Sequence, residues 1–460
     1  MSESPPVPAA SRFGTVVVVG GSVAGLLAAA ALISHSRQVV VVEHDHLPHG
    51  ATARGGTPQA THTHGLLASG RMAMESLVPG LTDELIARGA ASDGDVGSSA
   101  AWWIGGGLIT DCELGITGMA VSRLLLESAL RDRVRALPGV VVRDGVDVLG
   151  LTTGSDRADV TGVRVITRRD GARPETLDAD LVVDASGRLG HAASWFAEHG
   201  WQVPDEDAVA VDLRTVTTRV PARPGDLDGR NVAVVAATPD RPRGGVAVLQ
   251  EDGNWTVTLY GYVDRQPPLE PDQLRAWART VVSPVLADLL TDRPLMERPH
   301  AYRFPASRRR RFERLRQAPR GYVAIGDSLC SFDPAFGQGM SVAALEAVAL
   351  AEEVVRGGGQ LEARYHRRAS AVADGAWDVV VGADLQLPGV KGNRPKGHRA
   401  ISSYVRRVQR VARHDPVVAA AFLRVVNLVA PPASLMAPAV AVRVLAARTP
   451  HAARLPVLHG

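Results

Sequence analysis

Two glycine-and-acid clusters carry the chemistry legible in this chain. The first is Gly20-Gly21-Ser22-Val23-Ala24-Gly25, a G-x-S-x-x-G pattern set between a β-branched run (Thr15 to Val19) and an Ala/Leu-rich run (Leu26 to Ile33). Its chemistry is anion binding. Gly20 permits a tight turn, the small residues Gly21, Ser22 and Ala24 let the main chain approach a diphosphate, and Gly25 lets a helix lie close against a sheet. Ser22 stands where the pattern usually has its second glycine. Glu43 closes the next apolar run, Gln38 to Glu43, at about the twenty-residue spacing where a carboxylate meets the hydroxyls of an adenosine ribose. Strand, turn, helix, strand and acid in register point to a bound dinucleotide, against the plainer reading of a structural turn. A hydrolase elbow at Gly20-x-Ser22-x-Ala24 is disfavoured, because an elbow follows several strands and needs no ribose acid.

The second cluster begins at Gly326-Asp327-Ser328, directly after the apolar run Gly321 to Ile325. It continues as Asp333-Pro334-Ala335-Phe336-Gly337-Gln338-Gly339-Met340 into a helical stretch through Ala351. A helix start of this kind offers unpaired N–H groups and the positive end of a dipole. Five histidines, His44, His46, His49, His62 and His64, suggest a metal site, but no cysteine or carboxylate cluster completes a ligand spacing, so no metal is expected.

The elements that must position these groups follow from pattern and composition. At 460 residues and 45% hydrophobic content, the chain is long enough for a large core and a second lobe. Strand-like runs lie at Val140 to Val142, Val146 to Thr152, Val163 to Thr167 and Leu181 to Asp184, after a candidate helix from Arg123 to Ala136. From Val211 the texture changes to Val211 to Val220, Val232 to Thr238, Val246 to Gln250 and Trp255 to Val263, with a hairpin signal at Glu251-Asp252-Gly253-Asn254. A helical segment is expected from Pro271 to Leu290. The predicted fold is therefore α/β: a Rossmann-type dinucleotide domain with an inserted antiparallel β-sheet substrate domain and C-terminal helices. The expected boundaries are a flexible leader at 1–14, the dinucleotide domain at 15–195 and 300–365, the sheet domain at 196–299, and helices at 366–460, with part of 65–120 joining the substrate lobe.

The sequence now resembles a known family. Arg54-Gly55-Gly56-Thr57-Pro58-Gln59, His62-Thr63-His64-Gly65 and Asp184-Ala185-Ser186-Gly187-Arg188 join the two clusters above, and together they look like the FAD-dependent monooxygenases of the aromatic hydroxylase type. The likeness is nearest to the actinobacterial flavoprotein epoxidases of polyether polyketides and more distant to squalene epoxidase. It implies FAD bound in a fold of the glutathione-reductase type, with Asp327 at a ribitol hydroxyl and the main chain from Gly337 to Met340 beside the pyrimidine edge of the ring. Glycines at 337 and 339 would let that flat ring approach closely. The same likeness carries Arg54 and Arg123 to the phosphates or ribityl chain, Val146 to the adenine as a backbone contact, and Gln59 and His64 towards the ring. It implies transfer of one oxygen atom from the flavin C4a-hydroperoxide to an apolar natural product, with epoxidation of a polyketide or polyene alkene favoured, and no obligatory side-chain base. Trp102, Trp103, Trp255, Tyr260 and Phe336 are the expected substrate-pocket residues.

Several classes are weighed against this. A flavin halogenase shares the fold, but that family uses an early catalytic lysine, and the only lysines here are Lys391 and Lys396. A flavin-dependent reductase or dehydrogenase, an aromatic hydroxylase and a non-enzymatic flavin sensor stay as alternatives. No second glycine fingerprint is visible, so electrons are expected from transiently docked NAD(P)H or from a separate reductase partner. Basic residues number 51 against 48 acidic ones, a net charge of +3 without a polybasic tract, so nucleic acid is not an expected partner. Two distant cysteines, Cys112 and Cys330, suit a reducing, cytoplasmic setting. The apolar stretches Val417 to Ala430 and Leu435 to Ala447 are too short to span a bilayer, and peripheral membrane contact is the minor reading.

Overall fold

The computed structural model describes residues 12–92, 94–155, 158–188 and 190–447. The opening run forms β1 (Phe13–Val19), followed by α1 (Val23–Ile33) and β2 (Ser36–Val42). β1 and β2 are parallel, with Val16 opposite Val39 and Val19 opposite Val42. Val16, Val17 and Val18 are fully buried, as a strand covered on both faces requires, which is why the run reads as unbroken valine rather than as an alternation. The strand starts two residues earlier than the predicted leader allows. Phe13 is buried, and Arg12 lies over its ring and donates to the Val354 carbonyl at 2.8 Å. Residues 1–11 of that leader lie outside the described residues.

Five parallel strands make the first sheet, in the order Tyr322–Ala324, Leu181–Asp184, β1, β2, Val140–Arg143. The strand order reverses beside β1, so Gly20, Glu43, Ala185 and Ile325 all follow the carboxyl ends of neighbouring strands. That is where ligands gather in open sheets of this kind. A small three-stranded antiparallel sheet, Val146–Thr153, Val160–Thr167 and Glu175–Asp178, stands next to it.

The second large sheet has nine strands centred on the long Glu206–Pro221, which pairs antiparallel with Asn254–Tyr262 and with His300–Arg310. It therefore runs past the expected boundary at residue 299. The sequence hid this strand because Arg308, Arg309 and Arg310 mask its alternation, although Arg309 is itself buried, held by Asp374 at 2.7 Å and by Ser370. At the far edge Ala100–Ile104 pairs with Val232–Val235, which brings a piece of the 65–120 segment into this sheet. The helical segment expected from Pro271 to Leu290 is two helices, Pro271–Ala278 and Val285–Leu290, because Pro284 cannot continue the hydrogen-bond ladder. Both helices pack on one face of the sheet against Trp255, Val257 and Leu259.

The C-terminal third is helical: Gly339–Arg356, Leu361–Asp384, His398–Val411, Pro416–Val426 and Pro438–Ala446. Leu361–Asp384 is a single helix, so the expected division at 365/366 falls inside it. Asp415 caps its helix by accepting from the Val417 and Val418 amides at 2.9 and 3.2 Å, with Pro416 in the first turn. Among the described residues, no helix is long and apolar enough to cross a membrane.

Candidate functional site

The turn after β1 is built so that only glycine fits at two of its positions. Gly20 has φ +107°, and a Cβ there would lie 2.4 Å from the Ala185 carbonyl oxygen. A Cβ on Gly25 would lie 1.8 Å from the Gly20 carbonyl oxygen, so helix and strand touch through bare main chain. The Gly21 amide donates to Glu43 Oε2 at 2.7 Å, which ties the turn to the end of β2. Ser22 does not cap α1 with its side chain. Its hydroxyl donates to Glu127 at 2.9 Å and accepts from Arg123 at 2.7 Å, so the first-turn amides of α1 stay available to a negatively charged group.

Around this turn lies a buried ionic network that the sequence reading missed at its centre, Glu127. Arg54 reaches Glu43 at 3.1 Å, Asp45 at 2.9 Å and Glu127 at 2.9 Å, while Arg123 reaches Glu127 at 3.0 Å. Burial pushes the Glu127 carboxyl up, but Arg123 and Arg54 together outweigh this and hold it below the usual carboxylate range. The expected phosphate contacts therefore differ between the two arginines. All three nitrogens of Arg54 are engaged by carboxylates, whereas Nη1 of Arg123 has no partner among the described residues. Glu127 was legible in retrospect as the acid four residues after Arg123 on the same helix, Arg123–Arg135. The Val146 amide donates to the Glu43 carbonyl at 2.9 Å, so a backbone contact to an adenine is left to its carbonyl.

The second cluster closes on the first. Gly326 has φ +64°, and a Cβ there would sit 2.7 Å from the Ala24 Cβ on α1. Its amide donates to Glu346 Oε2 at 2.7 Å, a fully buried acid on helix Gly339–Arg356 whose other oxygen has no partner among the described residues. Burial raises that carboxyl to about 8, helped by nearby Asp327. Asp327 lies deep in the protein with its carboxylate open to the cavity; burial raises its pKa, while Arg123, Arg188 and Arg310 pull against the rise. The following loop is anchored from outside the motif. Asp333 caps the turn at Ala335 and accepts from the Tyr262 hydroxyl at 2.8 Å, which joins the loop to the large sheet. Gly337, at φ +65°, packs against Gly65. Gln338 is buried, and its side-chain oxygen has no partner among the described residues.

These groups face one continuous cavity of about 2730 Å³. Its walls include Gly20, Ser22, Ala24, Glu43, Arg54, Gln59, Arg123, Val146 and Asp327, the run Gly337 to Met340, and the substrate candidates Trp102, Tyr260 and Phe336. Gly21 and Gly25 shape the turn behind that wall. Trp103 and Trp255 do not reach the cavity, because side chains alternate across a strand. Trp255 points with Val257 and Leu259 to the helical face and donates to Asp226 at 2.8 Å, while Thr258 and Tyr260 point to the cavity. His64 donates from Nδ1 to the His62 carbonyl at 3.0 Å and is lowered by burial to about 4, and His62 is lowered by burial to about 3. Both imidazoles are thus neutral near pH 7. Arg188, which also lines the cavity, lies 5.1 Å from the Phe304 ring centroid. Among the described residues, no group of three or more His, Cys, Asp or Glu could hold a metal ion.

A parallel sheet whose strand ends carry a glycine fingerprint, a ribose-type acid and a distant G-D turn, all opening on one cavity, defines a dinucleotide-dependent oxidoreductase. The chain belongs to the FAD-dependent oxidoreductase family, whose model matches residues 15–348. It is 32% identical over 422 residues to Protein Rv3254 of Mycobacterium tuberculosis, covering 89% of this chain and 88% of that one. Among solved structures, the flavin-dependent brominase Bmp2 superposes with a TM-score of 0.63 at 16% identity, over 90% of this chain and 93% of that one. PqsL, a probable FAD-dependent monooxygenase from Pseudomonas aeruginosa, superposes with a TM-score of 0.59 at 16% identity, over 81% of this chain and 97% of that one.

The site fits FAD on its own features. Amides at the α1 start and Arg123 Nη1 suit the diphosphate, Glu43 suits the ribose, and the orphaned Gln338 oxygen sits beside the start of a long helix. The cavity has room for a cofactor and a further molecule beyond it.

Proposed function

We propose that this oxidoreductase is an FAD-dependent monooxygenase that places one oxygen atom of O2 into an apolar natural product. Epoxidation of a polyketide or polyene alkene is the preferred reaction, and hydroxylation of an aromatic polyketide is the second. The observation that carries the reading is the continuity of the cavity, which runs from the diphosphate turn past the loop Gly337 to Met340 into an apolar lobe. Bound FAD would supply oxygen activation and the redox step.

The chain's own part is to bind, orient and exclude water. Glu43 and the α1 amides hold the nucleotide half, and Asp327 meets the ribityl chain. The uncapped amides at the start of helix Gly339–Arg356 favour negative charge on the pyrimidine edge. Neutral His62 and His64 leave the ring-side wall without added positive charge. Trp102, Tyr260 and Phe336 supply apolar surface against which an alkene can lie. No side-chain base is assigned. Electrons are proposed to come from NAD(P)H docking transiently or from a separate reductase, and we place the protein in the reducing cytoplasm, where its two free cysteines suit. The halogenase alternative is disfavoured because no lysine precedes Lys391.

The test is mass spectrometry of a panel of polyene and aromatic polyketides turned over under isotopically labelled O2. One labelled oxygen per product is the expected result, with its position separating epoxide from hydroxyl. Substrate-dependent anaerobic flavin reduction with no label in any product would instead establish a reductase or dehydrogenase.

A further inference from the structure

Beyond the ring-side loop the cavity continues between the far edge of the large sheet and the helices His398–Val411 and Pro416–Val426. Its body is apolar there, with Trp102 and Val234 from the sheet and Phe422, Val425 and Leu435 from the helical layer. Its rim is cationic. Arg394, Arg399, Arg406 and Arg410 stand on the wall beside His398. From His398 to Arg410 the helix rises about 18 Å at 1.5 Å per residue, so the positive charge forms a stripe rather than a point.

These arginines differ from the others near the core. Arg54, Arg293, Arg309 and Arg364 each reach a carboxylate at 2.5–2.9 Å. Among the described residues none of the four rim arginines has a carboxylate partner: Arg394 donates to the Leu385 carbonyl at 3.2 Å and Arg406 to the Gln386 side-chain oxygen at 2.7 Å. Asp240 and Asp378 share the cavity wall and pair with none of them. The field is felt nearby, since burial and then Arg394 and Arg406 lower His398. Solvated surface arginines are common and energetically minor. What sets this group apart is its place on the same cavity as the oxidoreductase motifs, at the open end of an apolar lobe, where a guanidinium fork matches a carboxylate or phosphate.

We propose that this lobe takes a substrate with a long apolar body and an anionic end, the body lying along Trp102, Phe422 and Leu435 and the oxyanion held by the arginines of helix His398–Val411. The use of the lobe for substrate rests on the monooxygenase reading, while the binding preference itself does not. The test is calorimetric titration of the FAD-loaded protein with dodecanoate, dodecyl phosphate, dodecanol and dodecyltrimethylammonium, each below its micellar concentration. At least one anion is expected to bind about ten-fold or more tighter than the alcohol and the cation, with a preference that shrinks as salt is raised. The comparison of dodecanoate with dodecyl phosphate assigns the anion. Two double variants, Arg399→Gln/Arg410→Gln and Arg394→Gln/Arg406→Gln, change exposed side chains. At least one pair is expected to abolish the preference while dodecanol affinity and flavin content hold. Equal binding of anion and alcohol, no binding of any chain, or a preference that survives both pairs would overturn the proposal. Charge-selective binding without labelled oxygen in any product would count against the monooxygenase reading alone.

Discussion

Glu127→Gln is the change that most sharply separates a diphosphate cradle from an ordinary buried ion network. Among the described residues Glu127 is the sole carboxylate on Arg123, and it is the bridge from Arg123 to Arg54. In the protein without FAD, its neutralisation removes the charge opposite Arg123 and leaves that guanidinium buried against neutral acceptors, the Ser22 hydroxyl and the amide oxygen of the new glutamine. Breaking a buried pair in this way costs about 3–5 kcal/mol, or roughly 6–20 °C in melting temperature at about 2–4 °C per kcal/mol for a large domain. With FAD present the diphosphate oxygens take the place of the lost carboxylate. The network also carries three carboxylates, Glu43, Asp45 and Glu127, against two guanidinium groups, so the substitution removes a charge that repels the diphosphate. If FAD restores about 1.4 kcal/mol of the loss, its affinity must rise about ten-fold. The assay is thermal melting of stripped and FAD-saturated protein, with Kd from quenching of flavin fluorescence. An equal loss of melting temperature in both forms, or weaker FAD binding, would refute the reasoning.

Gly25→Ala should lower the melting temperature and the flavin content together, because the added methyl group meets main chain at 1.8 Å and costs about 3 kcal/mol or more; a normally stable, fully yellow variant would contradict it. Glu346→Gln tests the acid beneath Asp327. Its folded pKa is about 8 against an ordinary 4.5, so the folded protein keeps a proton that the unfolded chain releases. Stability from this group is complete below the ordinary value and is lost as pH rises towards 8, with a slope of about 1.4 kcal/mol per pH unit. The Gln variant should flatten the melting temperature across that window, and an unchanged slope would rule the assignment out. Trp255→Phe should cost stability through the lost bond to Asp226 while leaving substrate KM unchanged, whereas Trp102→Ala should raise KM; steady-state kinetics and melting curves decide between these effects.

What the sequence revealed, and what it hid, follows from the range of the interactions. β1, α1 and β2 were legible because valine runs and glycine punctuation report local conformation. Groups that act across the fold left weak traces. Glu127 is one acid among many on an ordinary helix, Glu346 interrupts an apolar helix with no sign of its bond to Gly326, and Tyr262 meets Asp333 only through tertiary packing. The strand His300–Arg310 escaped notice because buried arginines read as surface. Trp103 and Trp255 were misplaced for want of a parity: adjacent residues on a strand face opposite sides, and the sequence does not say which side is the cavity.

The central claim is that two segments three hundred residues apart grip one FAD, the first by its diphosphate and the second by its ring. A crystal structure of the protein loaded with FAD tests it most directly. The predicted result is one flavin per chain, its diphosphate on the amides after Gly20, its ribityl chain at Asp327 and its pyrimidine edge against Gly337 to Met340. Failure of the protein to take up FAD, or density for the ring away from that loop, would contradict the account.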